Sequence, residues 1–122
     1  MSRSSCSRFH HAVELVGRRW NGAILQAIFA GRHHYADIKA AIPGLSDTML
    51  AQRLRELEAE GVLERRVLPT SPVGVEYHLT AKGRALAPVL DALVAWAHEW
   101  VAAPDERHID VALPAMGAPA HG

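Results

Sequence analysis

The stretch from Ser46 to Gly61 constrains the fold more than any other part of the chain. Leu50, Leu54, Leu57 and Gly61 recur at helical spacing, which predicts a helix with one apolar face. Ser46 stands at an N-cap position directly after Pro43-Gly44-Leu45, and Gly61 stands at a C-cap position. The outward positions of its first two turns are read as Thr48, Met49, Gln52 and Arg53. A hydroxyl, a thioether, an amide and a guanidinium can donate to, accept from or pack on base edges. Alone, the pattern also describes any solvated helix with a leucine core face. The flanking segments decide between the two.

Upstream, Tyr35 to Ile42 predicts a short helix burying Tyr35, Ile38 and Ile42, and Pro43-Gly44 supplies a turn. Two helices joined by a short Gly-containing turn form the helix-turn-helix pattern. Downstream, Val62 to Leu68 is strand-like, the turn formers Pro69 to Gly74 follow, and Val75 to Leu79 alternates as a half-buried strand should. Such a hairpin beside the helices is a wing. The fold class is therefore mainly α with a small β-hairpin wing, a winged helix-turn-helix. Two more helices precede it, at Arg8 to Val16, ended by Gly17, and at Arg19 to Ala30, with Gly31 as C-cap. A last helix, capped by Thr80 and reaching Val101, carries Pro88, which predicts a kink or short break.

At 122 residues one domain is the default. We expect a loose N-terminus at 1–7 holding Cys6, a domain at 8–101 and a flexible tail at 102–122. The last helix carries a wide apolar stripe: Leu86, Leu90, Leu93, Ala97 and Trp100, broadened by Val89, Trp96 and Val101. It packs either on its own chain or on a second copy, and its width favours the second.

Net charge is zero, from 13 basic and 13 acidic residues, so distribution matters more than the sum. Acidic Glu56, Glu58, Glu60 and Glu64 segregate from Arg18-Arg19, Arg53, Arg55 and Arg65-Arg66. The single cysteine excludes an intrachain disulfide and a Cys-pair zinc site. No apolar run is long enough to span a bilayer and no signal-peptide core opens the chain, so a cytoplasmic protein without a membrane partner is expected. The eight histidines, including His10-His11 and His33-His34, lack the spacing of a metal site and read as surface residues. No catalytic constellation, phosphate cradle or cofactor motif accompanies them.

Cys6, Gly17-Arg18-Arg19-Trp20, Ile42-Pro43-Gly44-Leu45-Ser46, Met49-Leu50, Gln52-Arg53-Leu54, Leu57-Glu58, Gly61-Val62, Val75-Glu76-Tyr77, Leu79-Thr80, Gly83 and Trp96 fall in one characteristic order. In that order the chain resembles the HxlR family of winged-helix transcription regulators, distantly similar to MarR proteins, over residues 6 to 100. Trp20-Asn21-Gly22 and the wing from Leu68-Pro69 through Pro72-Val73 resemble its thiol-sensing, quinone- and diamide-responsive branch. The resemblance implies a homodimer joined through the first and last helices, with two recognition helices on a pseudo-palindromic operator in double-stranded DNA. It implies further that Cys6 reads oxidants or electrophiles. Two departures stand out. Gly74 occupies a wing position where relatives carry Lys or Arg, leaving a minor-groove contact open, and the C-terminal cysteines of some relatives are absent.

For DNA, Arg53 suits a bidentate contact with guanine and Gln52 one with adenine. Ser46, at the helix N-terminus, suits a phosphate. Arg65, Arg66, Arg32 and Lys39 are candidates for backbone contact, with Glu64 or Glu76 as alternative partners of the two hairpin arginines. For regulation, Cys6 just ahead of the first predicted helix would gain thiolate character from the helix N-terminus. The alternative effector is a small aromatic molecule held near Trp20, Trp96 and Trp100 at the dimer interface, with no redox role for Cys6. A third reading is a DNA-binding module with no sensor.

Overall fold

The computed structural model describes residues 3–70 and 74–102, with side chains from Ser7 onward. The chain runs α1 (Arg3–Gly17), α2 (Asn21–Phe29), α3 (Tyr35–Ala41), α4 (Asp47–Ala59), β1 (Leu63–Leu68), β2 (Gly74–Leu79), α5 (Ala81–Arg84) and α6 (Ala87–Trp100). Helices with one antiparallel hairpin, in register from Leu63 opposite Leu79 to Leu68 opposite Gly74, make the winged helix-turn-helix that the sequence predicts. The wing loop at 71–73, the tail from 103 and the Cys6 side chain lie outside the described residues.

The chain forms two compact units, residues 1–85 and 86–122. In the first, Ile24, Leu25 and Ile28 of α2, Ile38 of α3 and Leu50, Leu54 and Leu57 of α4 are buried, together with Val62 and Leu63. Each such side chain contributes about 1.5–3 kcal/mol over its exposed state. In the second unit α6 buries Leu90 and exposes Val89, Leu93, Val94, Trp96 and Trp100.

Local chemistry fixes the ends of α4. Ser46 Oγ accepts from the Met49 backbone N–H at 3.1 Å, satisfying one of the helix's unpaired donors. At the other end Gly61 takes φ 83°, a left-handed conformation that suits glycine. The Val62 N–H then reaches back to Leu57 O at 3.0 Å and Gly61 N–H to Glu58 O at 2.9 Å, closing the helix. Thr80 Oγ1 donates to Gly61 O at 2.6 Å and accepts from Gly83 N–H at 3.1 Å, so the start of α5 is fastened to the entry of β1. A Cβ on Gly83 would collide with the Val62 carbonyl, so this junction admits only glycine.

Two boundaries differ from the sequence reading, and a third feature agrees with it. Helix α1 begins at Arg3 rather than Arg8, placing Cys6 inside its first turns instead of ahead of it. Apolar spacing marks the length that packs, whereas an existing helix extends over polar residues without a new nucleation cost. Helix α2 begins at Asn21, because Trp20 adopts φ 80° and cannot be helical. The expected break in the last helix falls at Ala85–Leu86, and Pro88 sits in the first turn of α6, where its missing N–H is harmless.

Candidate nucleic-acid interface

Helices α3 and α4 are connected by the turn at Pro43-Gly44 and braced by Tyr35, whose hydroxyl donates to Asp47 O at 2.9 Å. Burial, then the neighbouring Asp47 carboxylate, raises the Tyr35 pKa and keeps that hydroxyl a donor. Past this brace, α4 turns Thr48, Arg55 and Glu58 outward, with Met49, Ala51 and Gln52 half-buried beside them. Thr48 and Arg55 follow Ser46 on the exposed side. They carry the hydroxyl and guanidinium that a base-reading face requires.

Arg53 does not belong to that face. It is 7 % exposed, and its Nε donates to the Arg19 carbonyl at 3.1 Å while Nη1 donates to Glu56 Oε1 at 3.0 Å. The expectation that Arg53 contacts guanine is therefore corrected. At 100° per residue Arg53 lies roughly 70° from the centre of the leucine stripe, and Arg55 roughly 130°. That arithmetic, available in the sequence, picks Arg55 as the outward arginine, which reading by residue type missed.

The remaining candidates separate by environment. Ser46 is exposed, but its hydroxyl oxygen already caps α4. Gln52 donates to Glu56 Oε2 at 3.1 Å, so its amide is directed along the helix. That bond, followed by the Arg18 and Arg53 charges, lowers the Glu56 pKa against the effect of its burial. Arg65 is exposed on β1, and Arg66 pairs with Glu64 at 2.8 Å, the alternative partner that the sequence offered. Arg32 is exposed beyond α2, and Lys39 is half-buried on α3.

The histidines have structural work. His33 Nδ1 donates to Tyr77 O at 2.9 Å, and Tyr77 N–H donates to His33 O at 2.8 Å. His34 and His78 share the Glu76 carboxylate at 3.2 and 2.8 Å, and the His33 and His78 rings stack with centroids 4.1 Å apart. The loop ahead of α3 is thus joined to the wing strand β2. Hydrogen bonding from His78 foremost lowers the Glu76 pKa. Among the described residues, no three His, Cys, Asp or Glu side chains are placed to hold a metal ion.

The three tryptophans expected to line a pocket at the dimer interface belong to different units of the chain. Trp20 is half-buried in the first unit under the Arg19 guanidinium, 4.8 Å from its ring centroid. Trp96 and Trp100 lie on α6 in the second, 59 % and 65 % exposed. A cavity of about 630 Å³ is lined instead by His11, Leu15 and Arg18 of the α1 segment and Glu56 and Glu60 of the α4 segment.

With this geometry in place, the HxlR-like helix-turn-helix family matches residues 15–105. The chain belongs to that family. It is 46% identical over 96 residues to YvaP, an uncharacterised HTH-type transcriptional regulator of Bacillus subtilis (strain 168), covering 79% of this chain and 89% of that protein. It is 42% identical over 100 residues to the HTH-type transcriptional regulator YodB of the same organism, covering 82% and 89%. The reduced form of YodB superposes with a TM-score of 0.69 over 83% of this chain and 95% of that one, at 42% identity. A diamide-treated YodB structure gives 0.68 at 40% identity over 84% and 98%. The redox regulator HypR, in its oxidised form, gives 0.73 at 28% identity over 79% and 99%. As an HxlR-family member the chain is a DNA-binding transcription regulator of the helix-turn-helix type, not an enzyme. No described helix is long and apolar enough to cross a membrane.

Proposed function

We propose that this regulator acts in the cytoplasm as a homodimeric repressor whose operator affinity responds to oxidants or electrophiles through Cys6. The observation that carries the DNA-binding half is the exposed stripe of α4, with Thr48 and Arg55 turned out beyond the capped Ser46 and Gln52 at its edge. Arg65 and Arg66 on β1, with Arg32 and Lys39 near α3, supply positive charge for the phosphate backbone. The apolar side chains exposed on α1 (Phe9, Val13) and α6 (Leu93, Val94, Trp96, Trp100) are the surfaces through which two copies pair. The paired copies present two α4 helices to a pseudo-palindromic operator.

The sensing half is supported by the redox-labelled relatives and by the position of Cys6 in the first turns of α1. The partial positive charge of a helix N-terminus favours thiolate, the form that attacks quinones and disulfides. With one cysteine in the sequence, the products are a mixed disulfide with a cellular thiol, an alkylated sulfur or a bridge between the two copies. We favour thiolation or alkylation, because a bridge requires two Cα atoms within about 7 Å.

The test measures operator affinity of reduced, diamide-treated and quinone-treated dimer, with mass spectrometry of Cys6, beside Cys6→Ser. Modification should release the operator from the native protein and leave the variant unaffected. Operator affinity indifferent to complete modification of Cys6 removes the sensing half. It would turn attention to an aromatic effector, for which Trp96 and Trp100 offer exposed rings. Within α4, Arg55→Ala should cost about 1–3 kcal/mol and relax base preference, whereas Arg66→Ala should weaken all sequences alike and lower the salt slope.

A further inference from the structure

We propose that the Arg18–Trp20 turn is a joint that sets the orientation of α4, with Arg53 as its positioning residue. The proposal rests on α4 being the helix that meets DNA. It adds a route by which a change at α1 reaches that helix.

The turn grips α4 and its approach at three points. Arg53 Nε donates to Arg19 O at 3.1 Å. Arg53 Nη1 donates to Glu56 Oε1 at 3.0 Å, and the same oxygen takes Arg18 Nε at 3.1 Å, so one carboxylate joins both arginines. The Trp20 ring edge reaches the α3–α4 turn, where a Cβ added to Gly44 would stand 3.7 Å from Trp20 Cη2. On its other side the turn is fastened to α1, because Asn21 Nδ2 donates to Leu15 O at 2.9 Å and Arg18 N–H to Glu14 O at 3.0 Å.

This turn is also where the described chain carries local cost. Trp20 is the one described non-glycine residue with positive φ, at 80°, a conformation that bulky side chains avoid. Its neighbour Asn21 is 1 % exposed and leaves Oδ1 without a hydrogen-bond partner. Residues held in such states persist only where their surroundings over-determine them, and they gather at switch regions.

Helix α1 suits the role of a moving part. From residue 7 to Gly17 none of its side chains is fully buried, so displacing it leaves the leucine core intact. It reaches the end of α4 through the polar pair of His11 with Glu60 at 2.9 Å, and the turn that follows it adds Arg18 to Glu56. Half-exposed pairs of this kind add little stability, but they fix direction. The buried Arg53 passes that direction into the middle of α4, two residues from the exposed Arg55.

Coupling between sites is reciprocal, so operator binding at α4 must be felt at Trp20. The full-length protein labelled with 5-fluorotryptophan gives a fluorine resonance for Trp20, identified with Trp20→Phe. Operator binding should move that resonance in the native sequence. Arg53→Met keeps the apolar stem and removes both bonds, and it should abolish most of the movement and reduce operator preference over random duplex about tenfold. If Arg53→Met does not fold, Glu56→Gln, at a half-exposed site, should reduce the movement in the same way. A Trp20 resonance unmoved by operator, or moved equally in native and variant proteins, overturns the proposal. Failure of Cys6 sensing is separate: diamide would then leave affinity unchanged while the Trp20 movement remained. Failure of α4 as reader would show as Arg55→Ala binding with native affinity and preference.

Discussion

Helices α2 and α6 are built from similar, mostly apolar residues and end in opposite circumstances. α2 buries Ile24, Leu25, Ala27 and Ile28 and leaves Phe29, at its last position, as its one exposed large apolar side chain. α6 buries Leu90 and leaves valine, leucine and two tryptophans in solvent, while α1 exposes Phe9 and Val13. Most of the apolar surface of α2 is consumed in folding one copy, and much of that on α1 and α6 is left over. Large leftover apolar surface marks an interaction site. On the proposed function, the buried face of α2 serves stability, and the exposed apolar faces of α1 and α6 serve assembly and response.

The largest effect that bears on this contrast is at α6. Leu93→Glu should yield monomers in light scattering and lower operator affinity by about a hundredfold or more, since two linked contacts become one. A variant that stays dimeric would erase the distinction between inner and outer helices. Next, Leu25→Ala in α2 should cost about 2–5 kcal/mol in denaturant unfolding, with operator affinity retained wherever the protein is folded. Loss of dimerisation as its main effect would reverse the assignment.

The smallest effect concerns the polar fastening of α1. Glu60 is held below its ordinary carboxyl range by hydrogen bonding from His11 and then Lys82. Its pKa is lower folded than unfolded, so its contribution is complete above the unfolded value of 4.5 and disappears as pH falls through the lowered one. Glu60→Gln should then cost less than about 1 kcal/mol at neutral pH, because the site is solvent-screened, and should flatten the acid limb of stability. Hydrogen exchange should show α1 loosening in acid before α2. Simultaneous loosening of both helices would mean that α1 is not separately fastened.

The architecture was legible where local chemistry decides conformation. The Ser46 cap, the Gly31 and Gly61 turns, the hairpin and the interruption near Pro88 follow from hydroxyl, glycine and proline properties that act within a few residues. Three-dimensional neighbours were not legible in this way. Nothing local announces that Trp20 adopts a left-handed conformation or that Arg53 bonds a carbonyl 34 positions away. The choice between Arg53 and Arg55 was recoverable from helical phase, yet guanidinium chemistry drew the reading to the wrong one. His33, His34 and His78 read as surface histidines because the meeting of His34 and His78 at Glu76, and the stacking of His33 on His78, depend on the hairpin folding back.

The outward side of α4 has a consequence for how such a regulator finds its target. Thr48 and Arg55 give way to the exposed Glu58, and Glu56 and Glu60 lie near, within a chain of zero net charge. Binding to arbitrary duplex is almost wholly electrostatic, so a carboxylate at the far end of the helix shortens every stay on the wrong sequence. On the proposed function, such a charge balance should lower residence on bulk chromosome and leave more of the protein in free diffusion. Its occupancy of the right site then depends on the match made by a few side chains, and a modest reorientation of the helix suffices to empty that site.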